Sequence, residues 1–100
     1  MKKTVIILSI MFAYSTTLMA NGEALYKTCL GCHGDKGKTK ALHLSKAIAG
    51  QDAATTIKQL NAYKKGQLNQ YGLGHIMKIQ VATLSKDDIK SLASYIEKLK

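Results

Sequence analysis

Cys29-Leu30-Gly31-Cys32-His33 contains both cysteines of the chain and one of its three histidines. The two thiols lie about one helical turn apart, so both can reach the two vinyl groups on one edge of a porphyrin and form thioethers. The imidazole of His33 could then bind iron from one side. This Cys-x-x-Cys-His spacing is the attachment signature of c-type haem. It predicts one covalently bound haem c on Cys29 and Cys32, with His33 as an axial iron ligand.

Two other uses of a cysteine pair have to be weighed against haem. A thioredoxin-like dithiol requires a βαβ pattern around the motif, and no strand-like alternation is present. A structural zinc site requires four nitrogen or sulfur ligands. His43 and His75 could join Cys29 and Cys32, but the two histidines do not have the paired spacing of such sites. Both readings are therefore less favoured than haem.

The first twenty residues have the pattern of a signal peptide. Lys2 and Lys3 precede an apolar run over residues 5–14, and residues 15–20 end at Ala20, where we expect cleavage. A membrane span needs about 20 apolar residues, and the uncharged stretch 4–20 approaches that length, so a retained anchor is the alternative. We predict a signal peptide over residues 1–20, one domain over 21–100, and a periplasmic protein.

Composition limits both the partners and the core of that domain. The chain carries a net charge of +9 with no Arg, no Trp and no Pro. Removal of Lys2 and Lys3 with the signal leaves +7, and the only Phe, Phe12, is removed as well. A chain of this size without Phe or Trp usually needs a staple, a role that a haem would fill. Export and the lack of Arg argue against nucleic acid as a partner.

Met77 is the candidate for the second axial position on the iron. Met1, Met11 and Met19 fall in the predicted signal, so Met77 is the only thioether in the remaining chain. It follows Tyr71-Gly72-Leu73-Gly74, a stretch that we expect to form a loop across the far side of the haem. His75 and His43 are the alternatives, and Met77 could also serve only in core packing.

Three helices are predicted. The first runs from an N-cap at Asn21 through the Cys29–His33 motif and stops at Gly34-Asp35-Lys36-Gly37. Asp52 caps a second helix, Ala53 to Lys65, which Gly66 closes. Ser85 begins a third with a capping-box pattern. Its apolar positions repeat at helical spacing; they are Ile89, Leu92, Ala93, Ile96 and Leu99.

The chain from residue 21 onward resembles the small bacterial class I cytochromes c, most closely the cytochrome c-553 type. Three stretches carry the resemblance: Gly22-x-x-x-Tyr26-x-x-Cys29-x-x-Cys32-His33-Gly34; Gly50-Gln51 with Leu60-x-x-Tyr63-x-x-Gly66; and Met77-Lys78-x-Gln80-x-Ala82-x-Leu84-Ser85 with Asp87-Asp88-Ile89 and Leu92-Ala93-x-Tyr95-Ile96. Two features depart from the family pattern. No Pro precedes Gly50, and Gln67 stands where the family often has an Arg that could help to hold a haem propionate.

The resemblance implies an all-α class I cytochrome c fold, with three main helices and loops wrapped around one covalent haem. It also implies that the first and last helices cross, so that Gly22 and Tyr26 would meet Leu92 and Tyr95. The function expected is one-electron transfer between respiratory redox partners, by a monomer that is not an enzyme. The many lysines favour partners with acidic docking faces. A peroxidase and a gas-sensing module are the alternatives, and both require an iron that Met77 does not close.

Overall fold

The computed structural model describes residues 21–100, and regular secondary structure in that range is helical throughout. The first helix, α1, covers residues 21–33 and contains a 3-10 turn, Lys27–Cys29, ahead of its last α-helical turn, Leu30–His33. The other helices are α2, Ala53–Lys64; α3, Gly74–Val81; and α4, Lys86–Lys98. The all-α fold is therefore confirmed, whereas the predicted signal peptide lies outside the described residues.

The ends of α2 and α4 follow the predicted capping chemistry. The Asp52 carboxylate accepts a hydrogen bond from the Thr55 amide at 3.2 Å, and Gly66 has a φ of 71° just beyond the last turn of α2. Ser85 and Asp88 form a complete capping box, because each side chain accepts from the other's amide at 3.0 Å. These bonds satisfy amides at the first turn that have no partner within the helix.

The N-cap predicted at Asn21 is not observed. Residue 21 is itself helical, so Asn21 belongs to α1 and is not a non-helical cap ahead of it. The predicted stop after the motif is correct. Gly34 leaves the helix with a φ of 80° and a ψ of 163°, and its amide donates back to the Leu30 carbonyl.

The loop expected over residues 71–74 ends at Leu73, and Met77 lies just beyond it on α3, a helix that the sequence analysis did not predict. The chain turns at Gly72 and becomes helical at Gly74, whose amide donates to the Asn69 side chain at 2.8 Å. Val81 belongs to the buried core cluster, and Met77 packs against that cluster. Burial of this helix face stabilises α3, which the local sequence did not predict. Residues 21–100 therefore contain four helices where three were expected.

The core lies where α1 and α4 cross and where α2 packs against both α3 and α4. Its fully buried cluster is small, and it consists of Tyr26, Leu60, Val81, Ile89, Leu92 and Ile96. The implied crossing of the first and last helices is present. A side chain added at Gly22 would overlap the Ser91 carbonyl oxygen and lie 2.7 Å from the Tyr95 Cβ, so only glycine permits this approach.

The segment between α1 and α2 is irregular apart from a 3-10 turn, Ala41–His43. Hydrogen bonds from the amides of Ile48 and Ala49 to the Gly37 carbonyl, at 2.8 and 2.9 Å, fold it against the end of α1. Within residues 21–100, no helix has the length and apolar character needed to cross a membrane.

Candidate haem site

A cavity with two lobes opens between the end of α1, the segment between α1 and α2, and α3. The lobes measure about 240 Å³ and about 170 Å³. Seven residues line both lobes, so the lobes adjoin each other; these residues are His33, Ala41, Ile48, Leu60, Leu73, Met77 and Ile96. His33 and Met77, the two predicted iron ligands, are far apart in the sequence, yet both line this cavity.

The end of α1 brings the whole Cys-x-x-Cys-His motif to this cavity. Cys29 and Cys32 line the smaller lobe together with His33, and both thiols are free. Cys29 is partly buried and Cys32 exposed, so the thiols mark the edge of the cavity. Burial raises the pKa of the Cys29 thiol above its ordinary value.

The His33 imidazole is partly buried in the cavity wall. Burial lowers its pKa below the ordinary value, which favours the uncharged ring, the form that binds metals. Its Nδ1 is buried and has no hydrogen-bond partner among residues 21–100. A buried polar atom of this kind is costly unless a partner satisfies it, so the ring has to be held in place by other contacts.

Met77 approaches the cavity from α3. Its side chain is partly buried and packs against the core cluster, while it also lines both lobes. The competing histidines are placed differently: His43 and His75 are exposed, and neither lines a lobe. No group of three metal-binding side chains of the His, Cys, Asp or Glu types occurs in the described part of the chain, so the structure does not assemble the zinc alternative.

The larger lobe has a polar wall that the sequence analysis did not assign. Gln51 donates from Nε2 to the Thr56 hydroxyl at 2.8 Å and to Gln59 Oε1 at 2.9 Å. Other polar side chains on this wall are Ser45, Lys46, Tyr63, Gln70 and Tyr71. A sequence signal existed, because Thr56, Gln59 and Tyr63 repeat at helical spacing on one face of α2.

These features fit a covalently attached haem. Two thiols stand at one edge, an uncharged imidazole and a thioether lie in the cavity walls, and apolar side chains of Leu60, Leu73 and Ile96 line much of the rest. The polar wall of the larger lobe suits the carboxylates at the opposite edge of a haem, while the smaller lobe holds the thiols.

Comparison with known proteins agrees with the fold and the motif. The family description "Cytochrome c" matches residues 19–100. The chain belongs to the cytochrome c family; it is a haem protein that carries electrons and binds one haem c covalently.

Within that family, the chain is similar to cytochromes c-553. It is 35% identical to cytochrome c-553 of Nitratidesulfovibrio vulgaris, with 99% of this chain and 100% of the relative covered. It is 40% identical to cytochrome c-553 of Helicobacter pylori over the whole of both chains. The resemblance to the c-553 type is thereby confirmed.

A second group of similar proteins is longer. Cytochrome c4 of Stutzerimonas stutzeri is 35% identical over 82% of this chain, which covers 43% of the relative. The crystal structure of reduced recombinant cytochrome c4 from Pseudomonas stutzeri superposes with a TM-score of 0.76 at 34% identity, and 85% of this chain covers 50% of that chain. The class I cytochrome c fold therefore holds for this chain.

Proposed function

We propose that the protein is a periplasmic monohaem electron carrier, with haem c attached through Cys29 and Cys32 and with His33 and Met77 as axial ligands. The observation that carries the proposal is the presence of His33 and Met77 on the walls of both lobes of one cavity whose edge holds the two thiols. Each thiol would add across one vinyl group of the haem, the sulfur bonding to one vinyl carbon and the hydrogen to the other, so that an S–H bond and a C=C π bond are replaced by a C–S and a C–H bond.

The bound haem supplies a one-electron Fe(II)/Fe(III) couple, and the chain determines its potential and access. A neutral imidazole and a soft, uncharged thioether favour a high potential. Met77 and the apolar walls keep water and small ligands from the iron position. With both axial positions taken, the protein transfers electrons and does not transform a substrate, so we do not propose an enzyme.

The polar wall of the larger lobe gives the haem carboxylates hydrogen-bond donors. Lys46 supplies a cation, and Tyr63 and Gln70 supply uncharged donors. Gln67, which stands where the resemblance leads one to expect Arg, is exposed and does not line the cavity. Lys46 and the neighbouring polar residues are therefore proposed to take over the role of that Arg.

The proposed location and partners of the protein rest on the sequence and on the lining of the site. We propose that residues 1–20 direct export and are removed near Ala20, because haem attachment to this motif occurs after translocation. The mature protein is proposed to act as a monomer that meets redox proteins with acidic docking faces. All six acidic residues lie outside the lining of both lobes, so the cavity wall carries no negative side chain that would repel such a face.

Two measurements on the purified protein test the proposal. After acid-acetone extraction the colour should stay with the polypeptide, because thioethers survive this treatment. Visible spectra of both oxidation states should show a low-spin haem, and carbon monoxide should not change the reduced spectrum readily. Haem that extracts freely would contradict covalent attachment. Rapid carbon monoxide binding would favour an open iron, as in a gas sensor or a peroxidase.

A further inference from the structure

Tyr26 is buried at the centre of the α1 and α4 crossing and ends in a specific hydrogen bond. Its side chain is 1% exposed, and its ring centroid lies 5.3 Å from that of Tyr95. The hydroxyl donates to the Gly34 carbonyl at 2.7 Å. Burial raises the pKa of Tyr26 to about 12, so the hydroxyl remains a donor throughout the neutral range.

The accepting residue, Gly34, directly follows His33. The Gly34 carbonyl also accepts from the Gly37 amide at 3.1 Å, and the His33 carbonyl accepts from the Thr39 amide at 3.1 Å. A side chain at Gly34 would overlap the Thr39 hydroxyl. Hydrogen bonds therefore hold both carbonyls at the point where the backbone leaves His33, and within residues 21–100 Tyr26 is the one side chain that takes part in them.

The His33 ring has less support from its own polar atoms. Nδ1 is buried and finds no partner within residues 21–100. In metal-binding histidines, a hydrogen bond from the second ring nitrogen commonly fixes the orientation of the imidazole. Here the ring is oriented by the hydrogen bonds to the His33 and Gly34 carbonyls and by the side chains of the cavity walls.

We propose that Tyr26 is a positioning residue for His33. Its hydroxyl holds the Gly34 carbonyl and thereby sets the angle at which the His33 imidazole enters the haem cavity. The inference rests on the proposed role of His33 as an axial ligand. It goes beyond that role by assigning the orientation of the ligand to a side chain that lines neither lobe.

The test compares two conservative variants of the holoprotein. Tyr26→Phe keeps the buried ring and removes the hydrogen bond to Gly34. Tyr95→Phe removes the hydroxyl of the other ring in the same pair and leaves the Gly34 contact intact, so it is the matched control. The electron paramagnetic resonance spectrum and the hyperfine-shifted haem methyl signals of the ferric protein report ligand orientation. Tyr26→Phe should shift both and change the midpoint potential, whereas Tyr95→Phe should match the wild type.

Several outcomes would overturn the inference. If Tyr26→Phe lowers only the unfolding midpoint and leaves both spectra unchanged, Tyr26 has a structural role alone. If Tyr26→Phe does not accumulate as holoprotein, 3-fluorotyrosine at position 26, a stronger donor of nearly the same size, should shift the methyl signals. Unshifted signals would reject the proposal. A His33→Ala holoprotein that keeps the wild-type ferric signal would instead overturn the ligand set on which the inference rests.

Discussion

Met77 is the residue that we propose closes the second axial position of the iron. Met77 lines both lobes together with the motif residue His33, whereas the exposed His75, two positions earlier on α3, lines neither. Helical geometry explains the difference, because residues two apart on a helix face different directions. One of the two side chains can therefore enter the cavity while the other remains in solvent.

Replacing Met77 should open the iron. In Met77→Ala the sulfur-to-iron band in the near infrared should vanish, the midpoint potential should fall, and carbon monoxide should bind the reduced protein readily. Loss of a soft, uncharged donor weakens the preference for ferrous iron, which is the reason for the fall. Absorption spectroscopy and a redox titration measure these changes.

His75→Ala is the matched control for this prediction. The substituted side chain is exposed and lies on the same helix as Met77, so the spectrum and potential should stay as in the wild type. If His75→Ala rather than Met77→Ala produced the changes, the iron would have two histidine ligands and a lower potential.

At the scale of elements, the crossing of α1 and α4 depends on the absence of a side chain at Gly22. In Gly22→Ala the new methyl group would collide with the Ser91 carbonyl, so the helices would have to separate. Overpacking of this kind costs about 1–3 kcal/mol. Denaturant unfolding of the holoprotein should show that loss, while Glu23→Ala, an exposed position on the same helix, should stay close to the wild type. Equal stability of both variants would mean that the helices do not meet at Gly22.

The start of α4 should depend on its capping box. Ser85→Ala removes the acceptor for the Asp88 amide and should lower the unfolding free energy by about 1 kcal/mol. Asp87→Ala is the control, because Asp87 is an acidic residue of the same first turn that makes neither capping bond. Chemical denaturation should give a smaller loss for Asp87→Ala than for Ser85→Ala, and the reverse order would argue against the cap.

On the scale of the whole molecule, the haem is expected to complete the core. The larger lobe alone measures about 240 Å³. The buried cluster has six residues with one aromatic side chain, Tyr26. Small domains have a total stability of only about 5–15 kcal/mol, so losing the apolar contacts of the group that fills this cavity should be decisive.

The variant Cys29→Ala with Cys32→Ala, which cannot retain haem covalently, should therefore be largely unfolded. Far-ultraviolet circular dichroism should show little helix compared with the wild-type holoprotein in the same buffer. Native-like helix content without haem would show that the six buried residues stabilise the fold by themselves.

The charge of the molecule should set how its electron-transfer rates respond to salt. Without the predicted signal the chain carries +7 before the haem carboxylates are counted, and no acidic side chain lines the cavity. Oxidation by an anionic complex such as ferricyanide should slow as ionic strength rises, because screening acts over about 10 Å at 0.1 M salt. Oxidation by a cationic cobalt complex should become faster and serves as the control. If salt affected neither stopped-flow rate, the lysines would have no part in encounter.

Local chemistry is what the sequence by itself determined. The spacing of Cys29, Cys32 and His33 defines a haem attachment motif within a single helical turn. The helix boundaries at Asp52, Gly66 and Ser85 depend on hydrogen bonds or backbone angles within a few residues of each cap. Such features are encoded by neighbours in the chain, so they can be predicted before any tertiary contact is known.

Only the tertiary structure decided the features that depend on distant parts of the chain. The glycines before Met77 suggested a loop, yet α3 forms because burial of one face against the core outweighs weak local propensity. The two lobes bring Met77 to the same cavity as His33, and the polar wall joins Lys46 with residues from α2 and the turn before α3. The hydrogen bond from Tyr26 to Gly34 likewise exists only because α1 and the segment after it fold back together. Packing between segments fixes these distances, and no local pattern carries that information.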